Sequence, residues 1–130
     1  MTFNYNEFKK LTKNFKSIAN EYNEFLSRFL TEQGKLLLAK TKQTPRHPVD
    51  TGYLIGRWFM SELYHINDKH YVHVYNNVNY ASWVEDGHRT VNGGWVKGKH
   101  MARIALTEVE LKLETRFNTE FNNWLKSKGL

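Results

Sequence analysis

The sequence predicts an α+β fold in which a long N-terminal helix and a long C-terminal helix pack on a small antiparallel β-sheet. Near both ends of the chain, apolar residues recur at steps of three and four, which is the period of an amphipathic α-helix. The middle is rich in β-branched and aromatic residues separated by turn-forming residues, which is typical of short strands. A short helix and a glycine-rich loop are predicted between the sheet and the last helix.

The composition indicates one globular domain over residues 1–130. The chain has 40% hydrophobic residues, which is enough for a modest core, and 15% aromatic residues. It has no cysteine, which excludes disulfides, thiol catalysis and cysteine metal sites. It also lacks an apolar run of the roughly 20 residues needed for a membrane span, and a signal-peptide pattern. We therefore expect a protein that stays in the cytoplasm or joins an assembly formed there, without a membrane partner.

The first helix is predicted from about residue 5 to residue 41. One face carries its apolar stripe, made of Phe8, Leu11, Phe15, Ile18, Tyr22, Phe25 and Phe29. Gly34 makes a kink or an interruption plausible, because glycine disfavours a helix interior by about 1 kcal/mol relative to alanine. The stripe could form a coiled coil, but the phase shift after Phe29 favours packing on the protein's own sheet.

Prolines end this helix, and a tight turn follows. The residues before Pro45 and Pro48 are pushed out of the helical region. In the turn at residues 49–52, Asp50 is expected to accept backbone hydrogen bonds and Gly52 to adopt a positive φ angle. A catalytic or metal-binding role of Asp50 is disfavoured, because no carboxylate partner lies near it in the sequence.

Two strands are predicted at residues 53–66 and 70–76, joined by a hairpin turn at residues 67–69. In the second strand, Val72 and Val74 share the face expected to point to the core. Tyr71, His73 and Tyr75 share the other face, which could pack under a helix or remain available to a partner. His70 and His73 lie on opposite faces, so they cannot bind one metal ion together.

A short helix is predicted at residues 79–85, with Tyr80, Trp83 and Val84 toward the body and Gly87 as the C-cap. Near its end lies the chain's compact acid/base cluster, made of Glu85, Asp86 and His88. No nucleophile motif, phosphate-binding loop or spaced carboxylate pair accompanies the cluster, so we expect no enzyme and no cofactor. A salt bridge of Glu85 with Arg89, or an interface contact, is the favoured interpretation.

Residues 89–99 contain several glycines and predict a flexible loop that exposes Trp95. Tryptophan in such a loop is either inserted into the core or an anchor for another chain, and the sequence leaves both open. The apolar period then resumes and predicts the last helix at residues 100–128, stopped by Gly129.

The chain carries a net charge of +6, which indicates either a soluble lysine-rich surface or a polyanionic neighbour such as DNA. Two basic stretches border the middle of the chain. The first contains Lys35, Lys40, Lys42 and Arg46, and the second contains Arg89, Lys97, Lys99 and Arg103. All of these residues except Arg89, seven in total, are candidates for a contact with DNA.

Three phrases in the motif core, residues 48–101, resemble the siphophage tail-completion family, also called head–tail joining or neck proteins. The first follows the pattern P-V-D-T-G-x-L, and the second follows Y-A-x-x-V-E-x-G-H. The third is a glycine- and aromatic-containing loop ending in the Met that begins the last helix. The matching residues are Pro48, Val49, Asp50, Thr51, Gly52, Leu54, Tyr80, Ala81, Val84, Glu85, Gly87, His88, Trp95, Gly98 and Met101.

This resemblance implies a structural virion protein of a phage or prophage, located where the head meets a long non-contractile tail. It implies a homo-oligomeric ring, with a hexamer as the expected size, through which the genome passes. The implied partners are head connector or portal-side proteins and a tail-tube or tail-terminator protein. The expected interface residues are Asp50, Tyr53, Tyr80, Trp83, Glu85, Asp86, His88, Arg89 and Trp95. The alternative from the residues alone is a small basic nucleic-acid-binding protein.

Overall fold

A computed structural model describes residues 5–43 and 53–129. It contains three helices, α1 (Tyr5–Gln43), α2 (Ala81–Asp86) and α3 (Met101–Ser127). The strands are β1 (Trp58–Met60), β2 (Tyr64–Ile66), β3 (Lys69–Tyr71), β4 (Val74–Asn76), β5 (Gly87–Arg89) and β6 (Trp95–Lys97). The predicted α+β class, with long terminal helices and small antiparallel strand pairs, is confirmed. The predicted first strand begins only at Trp58, because the preceding residues form a turn and a short 3₁₀ helix at Ile55–Arg57.

Helix α1 runs through Gly34 without interruption. A Cβ atom at Gly34 would lie 2.5 Å from Val72 Cγ1 and 2.8 Å from Met60 Sδ, closer than packed atoms approach. The glycine therefore lets the strands lie directly against the helix, and this close approach compensates for its poor helix propensity.

Strands β1 to β4 form one long hairpin with a β-bulge in the middle. β1 pairs with β4 and β2 pairs with β3, both antiparallel. Between the two pairs, the three residues 61–63 oppose only the two residues 72 and 73. The Ser61 amide donates to the His73 carbonyl at 2.7 Å, and the Ser61 hydroxyl accepts from the His73 amide at 2.8 Å. The extra residue changes the alternation of faces along the first half of the hairpin.

The hairpin turn contains two residues, Asn67 and Asp68, both with positive φ angles (49° and 65°). Such a turn matches the right-handed twist of paired strands. Lys69, which the sequence analysis placed in the turn, is the first residue of β3.

The inner face of the hairpin carries the valines, as predicted. Val74 packs against the core cluster, and Val72 lies at Gly34. The outer face carries aromatic pairs across the strands: Phe59 with Tyr75 at 6.0 Å and Tyr64 with Tyr71 at 5.4 Å between ring centroids. Phe59 and Tyr75 are exposed.

Helices α1 and α3 pack antiparallel through a layer of aromatic rings. Tyr22, Phe25 and Phe29 of α1 lie among Phe117, Phe121 and Trp124 of α3, with centroids 5.4–6.0 Å apart. Ion pairs flank this layer, Lys128 with Glu21 at 3.1 Å and Lys40 with Glu108 at 3.3 Å. The expectation that the stripe of α1 lies on the sheet is therefore wrong for its middle, where an aromatic helix partner covers it instead.

A second cluster joins the hairpin to both helices. It contains Leu54, Trp58, Val78, Ala81 and Met101, with Leu38 of α1 packed against it. Met101 is fully buried at the start of α3. Among the described residues, no helix has the length and apolar character needed to cross a membrane.

Candidate protein–protein interface

The end of α2 holds the beginning of α3. Both carboxylate oxygens of Glu85 accept hydrogen bonds from backbone amides in the first turn of α3, from Ala102 at 3.1 Å and from Arg103 at 3.0 Å. The Glu85 carbonyl also accepts from the His100 amide at 3.0 Å. His100 precedes α3 in a left-handed conformation and supplies no side-chain cap. Glu85 therefore caps α3 from another part of the chain, where a negative charge also favours the helix dipole.

The expected salt bridge of Glu85 with Arg89 is therefore not formed, and the alternative of an interface contact stays a prediction. The ion pair at this end of α2 belongs to Asp86, whose carboxylate lies 3.7 Å from Arg103 with both side chains exposed. Such an exposed pair contributes little to stability.

Two glycines let the backbone cross itself beside this cap. A Cβ atom at Gly87 would lie 2.6 Å from the Val96 carbonyl, and one at Gly98 would overlap the Glu85 carbonyl. Gly87 also has a φ angle of 92°, which side chains disfavour. Glycine at both positions therefore permits the chain to return close to α2 before α3 begins.

The segment predicted as a flexible loop is a β-hairpin. β5 pairs with β6 in antiparallel register, with His88 opposite Val96 and Arg89 opposite Trp95. The Thr90 amide donates to the Gly94 carbonyl at 2.9 Å, and the Gly94 amide donates to the Thr90 hydroxyl at 2.9 Å. Regular pairing thus fixes the backbone on either side of the glycines at residues 93 and 94.

Large aromatic side chains stand exposed around this hairpin. Trp95 is 62% exposed, so it is not inserted into the core. Trp83 is 61% exposed and Tyr80 is 42% exposed, which corrects the expectation that both point toward the body. Ala81 takes the buried position of α2, and Val84 packs against the core as predicted.

The hairpin presents two different faces, since successive strand residues point to opposite sides. On one face His88 stacks on Trp83 at 5.5 Å between ring centroids, and Val96 lies opposite His88. On the other face Arg89 and Lys97 flank Trp95. One face is therefore mainly aromatic, and the other combines an indole with positive charge.

The acid/base cluster is not arranged as a catalytic site. Glu85 is occupied by the α3 cap, and Asp86 is exposed beside Arg103. The Nδ1 atom of His88 is buried and makes no hydrogen bond within the described residues. Over the same residues, no three His, Asp or Glu side chains converge as metal ligands. His73 bonds the Tyr64 hydroxyl through Nε2 at 2.7 Å, whereas the ring of His70 contacts that of His65 on the other face.

Of the two remaining predicted interface residues, the structure describes Tyr53. Tyr53 is exposed with the Arg57 guanidinium 4.9 Å from its ring centroid. Asp50 lies outside the described residues, as does Arg46.

The predicted DNA-facing residues that the structure describes differ in exposure and pairing. Lys40 is paired with Glu108, and Lys42 is half-buried near the end of α1. Lys35, Lys97 and Lys99 are exposed. Among the residues that the structure describes, the second basic stretch combines exposed positive charge, at Lys97 and Lys99, with the exposed ring of Trp95.

Part of the outer aromatic face of the long hairpin was not predicted from the sequence. Phe59 and Tyr64 are five residues apart, so strict alternation would put them on opposite faces of a strand. The bulge at residues 61–63 brings both to the outer face, beside Tyr75 and Tyr71. The only local signal was Ser61, whose hydroxyl replaces a backbone acceptor.

The family to which the chain belongs follows from its match to a family model. Residues 9–87 match the family model described as "Bacteriophage HK97-gp10, putative tail-component", which covers more than half of the chain. The match includes most of α1, the long hairpin and α2, and it ends before most of the β5–β6 hairpin and α3. No curated protein and no solved structure matches the chain significantly. The chain belongs to the HK97-gp10-like family of bacteriophage tail components.

Proposed function

We propose that the protein joins the phage head to the tail as a structural component of the virion, acting through a ring of identical copies. The observation that carries this proposal is the family match over residues 9–87. The resemblance of the phrases centred on Asp50, Glu85 and Trp95 to tail-completion proteins supports a position at the junction of head and tail. On this proposal the neighbours are portal-side connector proteins and a tail-tube or tail-terminator protein.

The exposed aromatic residues support a function carried by interfaces rather than by catalysis. Trp83 and Trp95 lie on elements that are fixed by the Glu85 cap and by strand pairing. Rigid, exposed tryptophans lose little conformational entropy on binding and are common among residues that dominate binding energy. Arg89 and Asp86 lie beside them and supply polar contacts that can fix the orientation of a partner.

The strand pairs support assembly with further chains. Within residues 5–43 and 53–129, each of the three ladders contains two strands, and their outer edges could pair with strands of other chains. Copies related by a cyclic axis could cover these edges through one repeated contact that closes.

A second candidate function is contact with the DNA that passes through the junction. It rests on one face of the β5–β6 hairpin, where Arg89 and Lys97 flank the exposed Trp95. Positive charge next to an aromatic ring is the combination that binds single-stranded nucleic acid through phosphates and stacked bases. This function requires binding that weakens as the salt concentration rises.

The test of head–tail joining is electron microscopy of particles made after deletion of the gene from a phage that encodes the chain. We expect DNA-filled heads and separate, complete tails. Complementation with a Trp83→Ala, Trp95→Ala double variant should leave the parts separate. Val91→Ala is the matched control, because Val91 is fully exposed at the tip of the same hairpin, and it should restore virions.

Two outcomes overturn the proposal. Normal virions after deletion exclude a joining role, and empty heads or missing tails place the protein at an earlier step. A titration of the purified protein with DNA over a range of salt concentrations tests the second candidate function, which is contact with DNA. Trp95→Ala should weaken DNA binding if the face that carries Arg89 and Lys97 contacts DNA. The absence of DNA binding at low salt would exclude this second function.

A further inference from the structure

The turn end of the long hairpin carries two histidines in one cross-strand pair. His65 of β2 lies directly opposite His70 of β3. The turn between these strands has two residues, so the pair that flanks it is hydrogen-bonded and the next pair, His65 with His70, is not. In an antiparallel ladder, side chains approach each other most closely at such a pair. The register of the hairpin therefore brings the two imidazole rings together.

The two rings are in contact. Their centroids are 4.3 Å apart, and their planes are inclined by 77°. His65 is exposed, whereas His70 is half-buried. The Nδ1 atom of His70 is buried and makes no hydrogen bond within the described residues. A buried polar atom without a partner destabilises the fold, so a ligand that gives this nitrogen a partner is favoured.

The histidine pair borders a cleft between the hairpin and α1. The cleft has a volume of about 900 Å³, and both histidines line it together with Glu24 and Asp68. Arg28 lines it as well, so two carboxylates and one guanidinium leave an excess of one negative charge. A cation beside the histidines therefore meets a favourable local charge.

We propose that His65 and His70 bind one divalent transition-metal ion such as Zn²⁺. Imidazole nitrogen is a preferred ligand of Zn²⁺, Ni²⁺ and Cu²⁺. The two histidines are the protein ligands, and water completes the coordination shell. Among the described residues, no third acidic or histidine side chain converges with the pair. Glu24 and Asp68 instead orient the bound water and offset the charge of the ion across the cleft.

Coordination requires only a small movement of the rings. With about 2.0–2.1 Å from zinc to each nitrogen and tetrahedral angles, the two ring centroids lie about 5 Å apart. The observed separation of 4.3 Å is shorter by less than about 1 Å. His65 can turn to make up this difference, because its ring is exposed and imidazole rotation about its own bond has a broad minimum.

The test is isothermal titration calorimetry of the purified, untagged chain with Zn²⁺ near neutral pH. We expect one site per chain. His65→Ala and His70→Ala should each weaken binding at least about tenfold, which corresponds to about 1.4 kcal/mol, because a single imidazole cannot chelate the ion. Binding should also weaken on acidification, because a protonated imidazole has no free lone pair. Mg²⁺ should not compete, since it prefers oxygen ligands.

His73→Ala is the matched control on the same hairpin. His73 lies on the other face, and its Nε2 atom is already 2.7 Å from the Tyr64 hydroxyl. This substitution should leave the affinity for Zn²⁺ unchanged. Asp68→Asn should weaken binding less than His65→Ala does, because Asp68 acts through water and charge rather than as a ligand.

Thermal unfolding supplies a second measurement that also checks the fold of each variant. Zn²⁺ should raise the Tm of the unmodified chain and of His73→Ala, because a ligand that binds the folded state stabilises it. It should not raise the Tm of His65→Ala. Since His65 is exposed, this variant should fold and unfold as the unmodified chain does without metal.

No binding of Zn²⁺ to the unmodified chain overturns the inference. So does binding that survives in both His65→Ala and His70→Ala, or that His73→Ala weakens equally. Competition by Mg²⁺ at equal concentration would assign the ion to the carboxylates and reject the histidine pair. These outcomes are independent of head–tail joining, which is scored on particles, so either proposal can fail while the other holds.

Discussion

The cap that Glu85 places on α3 gives the sharpest prediction about stability. Glu85→Ala removes the acceptor for two backbone amides, those of Ala102 and Arg103, at the start of the longest helix in the second half of the chain. Those amides then have to find water beside the buried Met101. The same substitution also removes hydrogen bonds that hold α2, which carries Trp83, and the adjacent β5–β6 hairpin against the start of α3.

The size of the effect follows from the geometry. Loss of a helix cap costs about 0.5–2 kcal/mol, and a hydrogen bond to a charged group contributes about 1.5–3 kcal/mol. Because Glu85 is half-buried and makes two such bonds, we expect Glu85→Ala to lower the free energy of unfolding by about 2–3 kcal/mol. For a domain of this size, that corresponds to a decrease in Tm of roughly 8–12 °C.

Urea unfolding followed by circular dichroism measures this loss as a lower midpoint with an unchanged slope. Glu85→Gln should fall between Glu85→Ala and the unmodified protein, because its amide oxygen can still accept one bond. Asp86→Ala is the neighbouring control, and its exposed ion pair should be worth less than about 0.5 kcal/mol. Equal midpoints for Glu85→Ala and Asp86→Ala would show that the cap does not hold α3.

Three further substitutions test the packing of the fold. Gly34→Ala should destabilise the protein by about 1–3 kcal/mol despite its better helix propensity, because the new methyl group meets Val72 and Met60; urea unfolding measures it. Asp68→Gly should stabilise the protein by up to about 1 kcal/mol, as measured by thermal unfolding. A left-handed residue (φ 65°) costs about 1–2 kcal/mol, which exceeds the roughly 0.4–1 kcal/mol of entropy that glycine adds to the unfolded chain. Phe25→Ala should cost about 3–5 kcal/mol, because its ring is buried in the aromatic layer between α1 and α3, and the urea midpoint reports it.

Each of these has its own check. Gly56→Ala is the control for Gly34→Ala, because a Cβ atom at Gly56 meets nothing within 4 Å. Combining Gly34→Ala with Val72→Ala should recover part of the loss, and no recovery would contradict the close approach of strand and helix. A destabilising Asp68→Gly would contradict the positive φ angle in the hairpin turn. A Phe25→Ala cost below about 1 kcal/mol would contradict the packed helix pair.

Local patterns in the sequence predicted the elements that depend on local forces. The period of apolar residues placed α1 and α3 to within two residues at each end, since helical periodicity repeats over many turns. Gly87 as a C-cap and Gly129 as a stop were also correct, because both adopt positive φ angles. The valine face of the hairpin was identified from simple alternation.

Features that depend on contacts between distant residues were not predictable in the same way. The bulge at residues 61–63 changes which side chains share a face, and strict alternation does not detect an extra residue. The short β5–β6 hairpin carries polar and glycine-rich residues, so its composition resembled a loop. The exposure of Trp83 depends on which surface of α2 meets the core, and this is settled by packing at Ala81.

By itself, the sequence determined two amphipathic helices around a β-rich middle, an α+β class and a resemblance to phage tail-completion proteins. These depend on periodicity, turn residues and short motifs, all of which are local. Tertiary structure alone decided that Gly34 admits the strands and that Glu85 caps α3. Each of these joins residues far apart in the chain, and only folding sets the distances at which hydrogen bonds, close contacts and charges act.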